Sequence, residues 1–401
     1  MASTQASTIL DQLVEAGKAF KQDEPGSREA LIAHSRALVA ALEIPSEFIQ
    51  RTFWAEPAQS ATIRLAVDTN LFQHLRDAGA AGLDVSTLSQ KTGIETSLLQ
   101  RLTRHLVATN LLTYHENAFH ATELSNGLSE ERYQHSISFC YDAARPSFNG
   151  FPGYFKKNGY QAPTLGGTDG PFQAAHGTEL TFFDWLVATP PHLRHFDSFM
   201  SAYRAGKKNW YDEGFYPVVE RLVNGFEGGE NGDVLLVDVG GGRGHDAAAF
   251  VKGLEEKVGK VILQDREPVI ESVVGSGVEK LGFEAQAHDF FTPQPVIGAR
   301  AYSLHSILHD WSDGDGVRIL ENLVPALKKG YSRVLLNEIV VSEEHPTLAA
   351  TSMDMMMLAH FAVRERTEAE WRGILETAGL RVTAIYTYPG VAESLIEAEL
   401  A

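Results

Sequence analysis

Basic residues are scarce: 34 Lys and Arg face 52 Asp and Glu over 401 residues, a formal net charge of -18. Binding a nucleic-acid duplex requires a basic stripe that displaces counterions from phosphates, and none stands out, so nucleic acid is not the expected partner. Cysteine is nearly absent. Cys140 stands alone, forms no internal disulfide, supplies no thiolate metal cluster and reads as a small buried apolar residue; no metal is expected. Long apolar runs are missing as well. Nothing approaches the ~20 residues that cross a bilayer, and Met1-Ala-Ser-Thr-Gln lacks the basic and apolar parts of a signal peptide. The expectation is a soluble cytoplasmic protein with no membrane contact.

Hydrophobic residues at 44% and charged residues at 21% are ordinary globular values. The length exceeds the roughly 100 to 200 residues that one core organises, so more than one domain is expected. Up to about residue 110 apolar side chains recur at helical spacing, as in Ile9, Leu13 and then Leu31, Leu38, Leu42. Residues 84–108 then read as helix, turn at Gly93, helix, with short strands near Leu112 and Phe119, a winged-helix pattern. Groove binding by its second helix, 95–108, is one reading. Lys91, Arg101 and Arg104 are offset by Asp84, Glu95, Glu116 and Glu123, which favours a packing or dimerisation role.

Aromatic residues cluster over 146–232, and the segment reads as a helical bridge. Most of these rings suit an ordinary core, and some are candidate walls for an aromatic or polyketide-like ligand: Phe172, Phe183 and Trp185, with His135 from the preceding segment. The turn-rich stretch 225–233 closes the bridge. The expected division is 1–145, 146–232 and 233–401.

From residue 234 short apolar runs alternate with helical patterns: 234–239, 260–264, 283–287, 301–305 and 333–339. Such alternation implies a mostly parallel sheet covered on both faces, with ligands at the carboxyl ends of its strands. After a helix at 368–377, residues 381–386 and 392–399 read as a terminal antiparallel hairpin. The fold class is α/β, a Rossmann-like domain behind an all-helical and winged-helix amino-terminal domain.

The stretch Leu235-Leu-Val-Asp-Val-Gly-Gly-Gly-Arg-Gly244 is a strand running into a glycine turn that opens a helix. Gly240, Gly242 and Gly244 let a ligand approach the backbone, but the final spacing of the dinucleotide fingerprint is absent. Asp265 stands about 20 residues on, at the next strand end, where a carboxylate accepts two ribose hydroxyls. Asp289 follows the third strand, suited to an adenine amino group, with Phe290 beside the ring. Together these residues outline a nucleoside site.

The motifs Val-Asp-Val-Gly-Gly-Gly-Arg-Gly, Leu308-His-Asp-Trp-Ser-Asp313, Leu336-Asn-Glu338 and Arg364-Glu-Arg-Thr367 resemble the S-adenosylmethionine-dependent O-methyltransferases of plant and fungal secondary metabolism, of the caffeate and flavonoid type. The resemblance spans nearly the whole chain. It implies a class I methyltransferase domain, a winged-helix dimerisation domain, a homodimer and S-adenosylmethionine as cofactor, held by Asp238, Gly240, Gly241, Gly242, Asp265, Asp289, Phe290 and Asp310. His309 is the candidate general base, since an imidazole suits removal of a hydroxyl proton near neutral pH. By resemblance Glu338 and Glu365 flank it, one of them orienting the ring, Asp310 contacts cofactor or caps a helix, and Trp311 packs over the cofactor. His305, a further cofactor-binding candidate, departs from the lysine or arginine that many relatives carry four residues before the base. Met353, Met357 and His360 resemble the family's substrate helix.

An alternative reaction class stays open from the residues alone. Some fungal relatives of this family use the sulfonium only as a fixed charge, catalysing dehydration or pericyclic closure, and His305 with His135 would suit that acid-base work.

Overall fold

In a computed structural model of the chain, residues 2–165, 167–228, 234–254, 258–277 and 282–401 are described. Two compact units emerge, residues 1–161 with 168–206 and residues 162–167 with 207–401. The segment expected as a bridge, 146–232, is thus shared between them, and the last part of its closing turn, 229–233, lies outside the described residues.

In the first unit, helices Ala2–Phe20 and Ser27–Leu42 pack on each other while Leu10, Val14, Val39 and Leu42 stay exposed. The helix-turn-helix forms where local chemistry dictates. Asp84 accepts from the backbone N–H groups of Ser86 and Thr87 to start helix Val85–Thr92, Gly93 in the left-handed region ends it, and Glu95 caps helix Thr96–Ala108. Strands β1 (Leu112–His115) and β2 (Ala118–Ala121) follow as an antiparallel wing. Leu88, Leu99, Leu106 and Phe119 bury the apolar faces of the helix-turn-helix and its wing in one core.

The second unit is built on β3 (Val234–Val239), β4 (Lys260–Asp265), β5 (Glu284–Ala287), β6 (Ala301–His305), β7 (Arg333–Val341), β8 (Arg366–Thr367), β9 (Leu380–Tyr386) and β10 (Glu393–Leu400). Their order is β5-β4-β3-β6-β7-β10-β9, with β8 paired to the end of β7. Strands β3 to β7 run parallel and β10 is antiparallel to both β7 and β9, as the sequence predicts. Near-continuous apolar runs such as 234–237 are buried because helices lie on both faces. The carboxyl ends of β3, β4, β6 and β7 therefore carry Asp238, Asp265, His305 and Glu338 to one edge of the sheet.

Candidate active site

Beyond β3 the backbone turns through Gly240, Gly242 and Gly244, with φ of 75°, 58° and 74°. Glycine is needed at Gly240 twice over, because a Cβ there would also meet Ile307 Cδ1 at 2.7 Å. The Gly242 N–H donates to Asp265 Oδ2 at 2.9 Å, tying the turn to the end of β4. Asp238 accepts from the Ala247 N–H at the start of helix His245–Gly253, yet its buried Oδ2 has no hydrogen-bond partner among the described residues. Burial above all, then the charges of Asp246 and Asp265, pushes this carboxyl up to about 8. Asp246 Oδ2 lies 2.5 Å from His305 Nδ1, and its Oδ1 accepts from the Tyr211 hydroxyl at 3.2 Å. His305 is thus fastened to the helix that opens from the glycine turn. Neither Asp246 nor Tyr211 was legible in the sequence, although Asp246 follows the last glycine of the turn by two residues.

Asp289 lies two residues past β5, exposed, with Oδ1 accepting from the Phe291 N–H. The Phe290 ring flanks the glycine turn, 3.7 Å from where a Gly240 Cβ would stand. Trp311 packs edge-on against the Phe290 and Phe291 rings, at 5.9 and 4.8 Å. A narrow cavity beside them is lined by Val239, His288, Phe290 and Thr292 among others. The chemistry of this edge fits the cofactor that the motifs imply: a glycine cradle, an unsatisfied buried carboxylate oxygen, and acidic groups at successive strand ends for ribose and for positive charge.

His309 sits in the short turn Leu308–Asp310 after β6, its side chain 12% exposed. Its Nδ1 is 2.9 Å from Glu365 Oε1, and its Nε2 is 3.5 Å from Asp310 Oδ1. Burial opposes its charged form most strongly, but the Glu365 hydrogen bond and the charges of Glu338, Asp310 and Glu365 together outweigh that and raise its pKa to about 10. The two flanking glutamates divide the work. Glu365 bonds the imidazole, whereas Glu338 Oε1 accepts from the backbone N–H groups of Ile307 and Leu308 at 2.9 and 2.8 Å, fixing the turn. Burial pushes Glu338 up to about 7 against the opposing pull of His309. Burial likewise raises Asp310. Glu338 Oε2 and Glu365 Oε2 are buried without partners among the described residues, so each carboxyl keeps one unsatisfied acceptor.

Helix Leu348–Phe361 carries Met353, half-buried, and Met357 and His360, both buried. Its Asp354, which sequence reasoning passed over, accepts from the Glu365 N–H at 2.8 Å. The remaining candidates belong to the first unit. His135 Nδ1 pairs with Ser198 Oγ at 2.9 Å, and burial, then Arg194, lowers its pKa. Phe172 is fully buried among His176, Phe182 and Trp185, Trp185 stacks on His192 at 4.8 Å, and Phe183 is exposed.

Residues 219–381 match the O-methyltransferase domain and residues 57–131 the O-methyltransferase dimerisation domain. Over all 401 residues, with both chains covered completely, the sequence is 62% identical to the O-methyltransferase mpaG of Penicillium roqueforti. The chain belongs to the S-adenosylmethionine-dependent O-methyltransferase family. Its identity to the O-methyltransferase mpaG' of Penicillium brevicompactum is 58%, again over the whole of both chains. A solved structure described as a pericyclic reaction enzyme superposes with a TM-score of 0.87 at 25% identity, covering 98% of this chain and 100% of the other. The structure of LepI in complex with S-adenosylmethionine gives 0.87 at 25%, covering 99% and 100%. This methyltransferase is thus an enzyme of fungal secondary metabolism, and its dimerisation domain supports a homodimer acting on a small molecule. Full-length identity to O-methyltransferases outweighs the more distant likeness to a pericyclic enzyme, and the charge-scaffold alternative recedes.

Proposed function

We propose that the enzyme methylates a phenolic or enolic hydroxyl of an aromatic or polyketide-type metabolite, with His309 as general base. The bond between His309 Nδ1 and Glu365 carries this reading. A carboxylate acceptor at Nδ1 keeps that nitrogen protonated and leaves the lone pair on Nε2, the nitrogen facing away from Glu365. The substrate proton passes to Nε2, and the resulting imidazolium is stabilised by Glu365 and by the charge of Glu338 beneath the turn.

S-adenosylmethionine, when bound, would supply the electrophilic methyl group and, as a sulfonium cation, a positive charge that would disfavour the imidazolium and favour the free base. Asp265 would hold the ribose, Asp289 and Phe290 the adenine, and Gly240, Gly241 and Gly242 the backbone approach, with Asp238, His305 and Asp310 completing the cofactor site. Met353, Met357 and His360 of the second unit are proposed substrate residues, and Phe172, Phe183, Trp185 and His135 of the first unit are proposed as such in their own right. The enzyme is further taken to be a cytoplasmic homodimer that engages no nucleic acid. No helix among the described residues is long and apolar enough to cross a membrane.

A single-turnover assay with methyl-labelled cofactor and a panel of phenolic acceptors tests the reaction. Label in the product, lost in His309→Gln, is the expected result. Product carrying no label would restore the charge-scaffold alternative.

A further inference from the structure

Arg366 is an unusual residue to bury, at 2% exposure. Every edge of its guanidinium is engaged: Nε donates to Asp313 Oδ1 at 2.9 Å, Nη1 to the Leu308 carbonyl at 2.7 Å and Nη2 to the Trp311 carbonyl at 2.6 Å. The Trp371 ring covers one face, its centroid 5.0 Å from Cζ. Both carbonyls belong to the turn that bears His309. From the other side Glu338 accepts from the Ile307 and Leu308 N–H groups. Leu308 is therefore gripped at its N–H by a carboxylate and at its C=O by a guanidinium.

Chain order strengthens the arrangement. Neighbours in extended backbone point to opposite sides, so Glu365 reaches the imidazole while Arg366 reaches the backbone that carries it. The short strand β8, paired to β7 through Val340–Arg366 and Val341–Thr367, fixes the register of Arg366, and Glu365 directly precedes it.

We propose that Arg366 is a positioning residue for methyl transfer, its guanidinium clamping residues 308–311 so that the His309 ring meets Glu365 and the reacting hydroxyl together. Lysine cannot replace it, because a single ammonium on a flexible stem does not span acceptors arranged around a planar fork. The inference rests on reading His309 as the base. Catalytic groups displaced by about 1 Å lose on the order of 10²-fold in rate, so a loosened clamp is expected to show in the chemical step.

The test compares wild type, R366K and H309Q. The His309 imidazole is titrated by NMR, its signal assigned by its absence in H309Q, while calorimetry measures S-adenosylhomocysteine affinity and labelled-methyl transfer to phenolic acceptors gives the rate. In R366K the imidazole is expected to titrate at lower pH, because its bond to Glu365 slackens, with transfer at least tenfold slower and S-adenosylhomocysteine affinity within twofold of wild type. A merely structural role would leave the titration of the folded protein in place, and an unmoved titration or an unchanged rate overturns the proposal. Should R366K not fold, D313A, which removes the acceptor of Nε and the Arg364 partner while leaving both carbonyl bonds of Arg366, is read in the same way, with a smaller displacement in the same direction upholding the clamp and none overturning it. Methyl transfer by H309Q at the wild-type rate would refute the base assignment separately, since the titration reports on the clamp without it.

Discussion

At His309 three acidic side chains compete to keep one imidazole charged. The folded pKa of about 10 lies above the ordinary value of 6.5, so without a bound cation the free base grows only as pH rises past neutrality. Turnover is expected to increase with pH on the alkaline side of 7, and saturating cofactor should move that rise to lower pH. A rate profile at two cofactor concentrations checks this. His309→Gln should lower the chemical step by roughly 10² to 10⁴ fold, the usual contribution of a positioned base. Glu365→Gln replaces a charged acceptor by a neutral one and so weakens the pull that raises the imidazole, and its rising limb should lie at lower pH than in the wild type, with a reduced plateau. The three catalytic candidates were legible because motif resemblance points to them. Which glutamate touches the ring was not, since it depends on Glu338 lying under the 307–308 backbone, a matter of tertiary approach that no spacing encodes.

The glycine turn between β3 and the following helix is specified by collisions as much as by φ. A Cβ on Gly241 would stand 2.2 Å from Asp238 Oδ2 and 2.6 Å from Leu263 Cδ1. Gly241→Ala should therefore displace the Asp238 carboxyl, destabilise the fold by about 1–3 kcal/mol and weaken S-adenosylhomocysteine binding, as thermal melts with and without ligand would register. Asp265→Ala, which frees the Gly242 N–H and removes the proposed ribose acceptor, should cost at least tenfold in affinity by calorimetry; unchanged affinity would mean that the nucleoside site has been misplaced. At this scale the sequence speaks clearly where a local cause exists. Helix Glu368–Thr377 matches its expected span because Thr367 and Glu370 form a capping box, and β3, β4, β6 and β7 lie where expected because each holds a continuous, largely apolar buried run. Strand β8 was not foreseen, as two residues hold no periodicity. The expected 333–339 run extends to Val341 because β8 gives its end a partner.

For the whole molecule the buried acids and His309 act in one direction. Asp238, raised from 3.8 to about 8, Glu338, raised from 4.5 to about 7, and His309, raised from 6.5 to about 10, all hold protons in the folded state that the unfolded chain has released. The contribution of these groups to stability is full below the unfolded values and declines as pH climbs through that window. Urea midpoints should fall from pH 5 to pH 9 in the cofactor-free enzyme, and Asp238→Asn should flatten the slope below pH 8. An equal slope in the variant would remove Asp238 as its source. Exposed Leu10, Val14, Val39, Phe53 and Trp54 add the expectation of a dimer in sedimentation at micromolar concentration, with a monomer counting against it.

The hydrogen bonds that hold His309 and its turn come from within residues 306–366: from Glu338 on β7, Glu365 and Arg366 at β8, and Asp354 behind Glu365. The aromatic candidates Phe172, Phe183 and Trp185 belong to the other unit. Proton chemistry and the rings proposed to recognise the acceptor thus occupy separate stretches of polypeptide. On the proposed assignment of these rings to acceptor recognition, mutations that reshape residues 168–206 would change which molecule is accepted without retuning the base, and descendants of such a gene would exchange acceptors while inheriting the reaction intact.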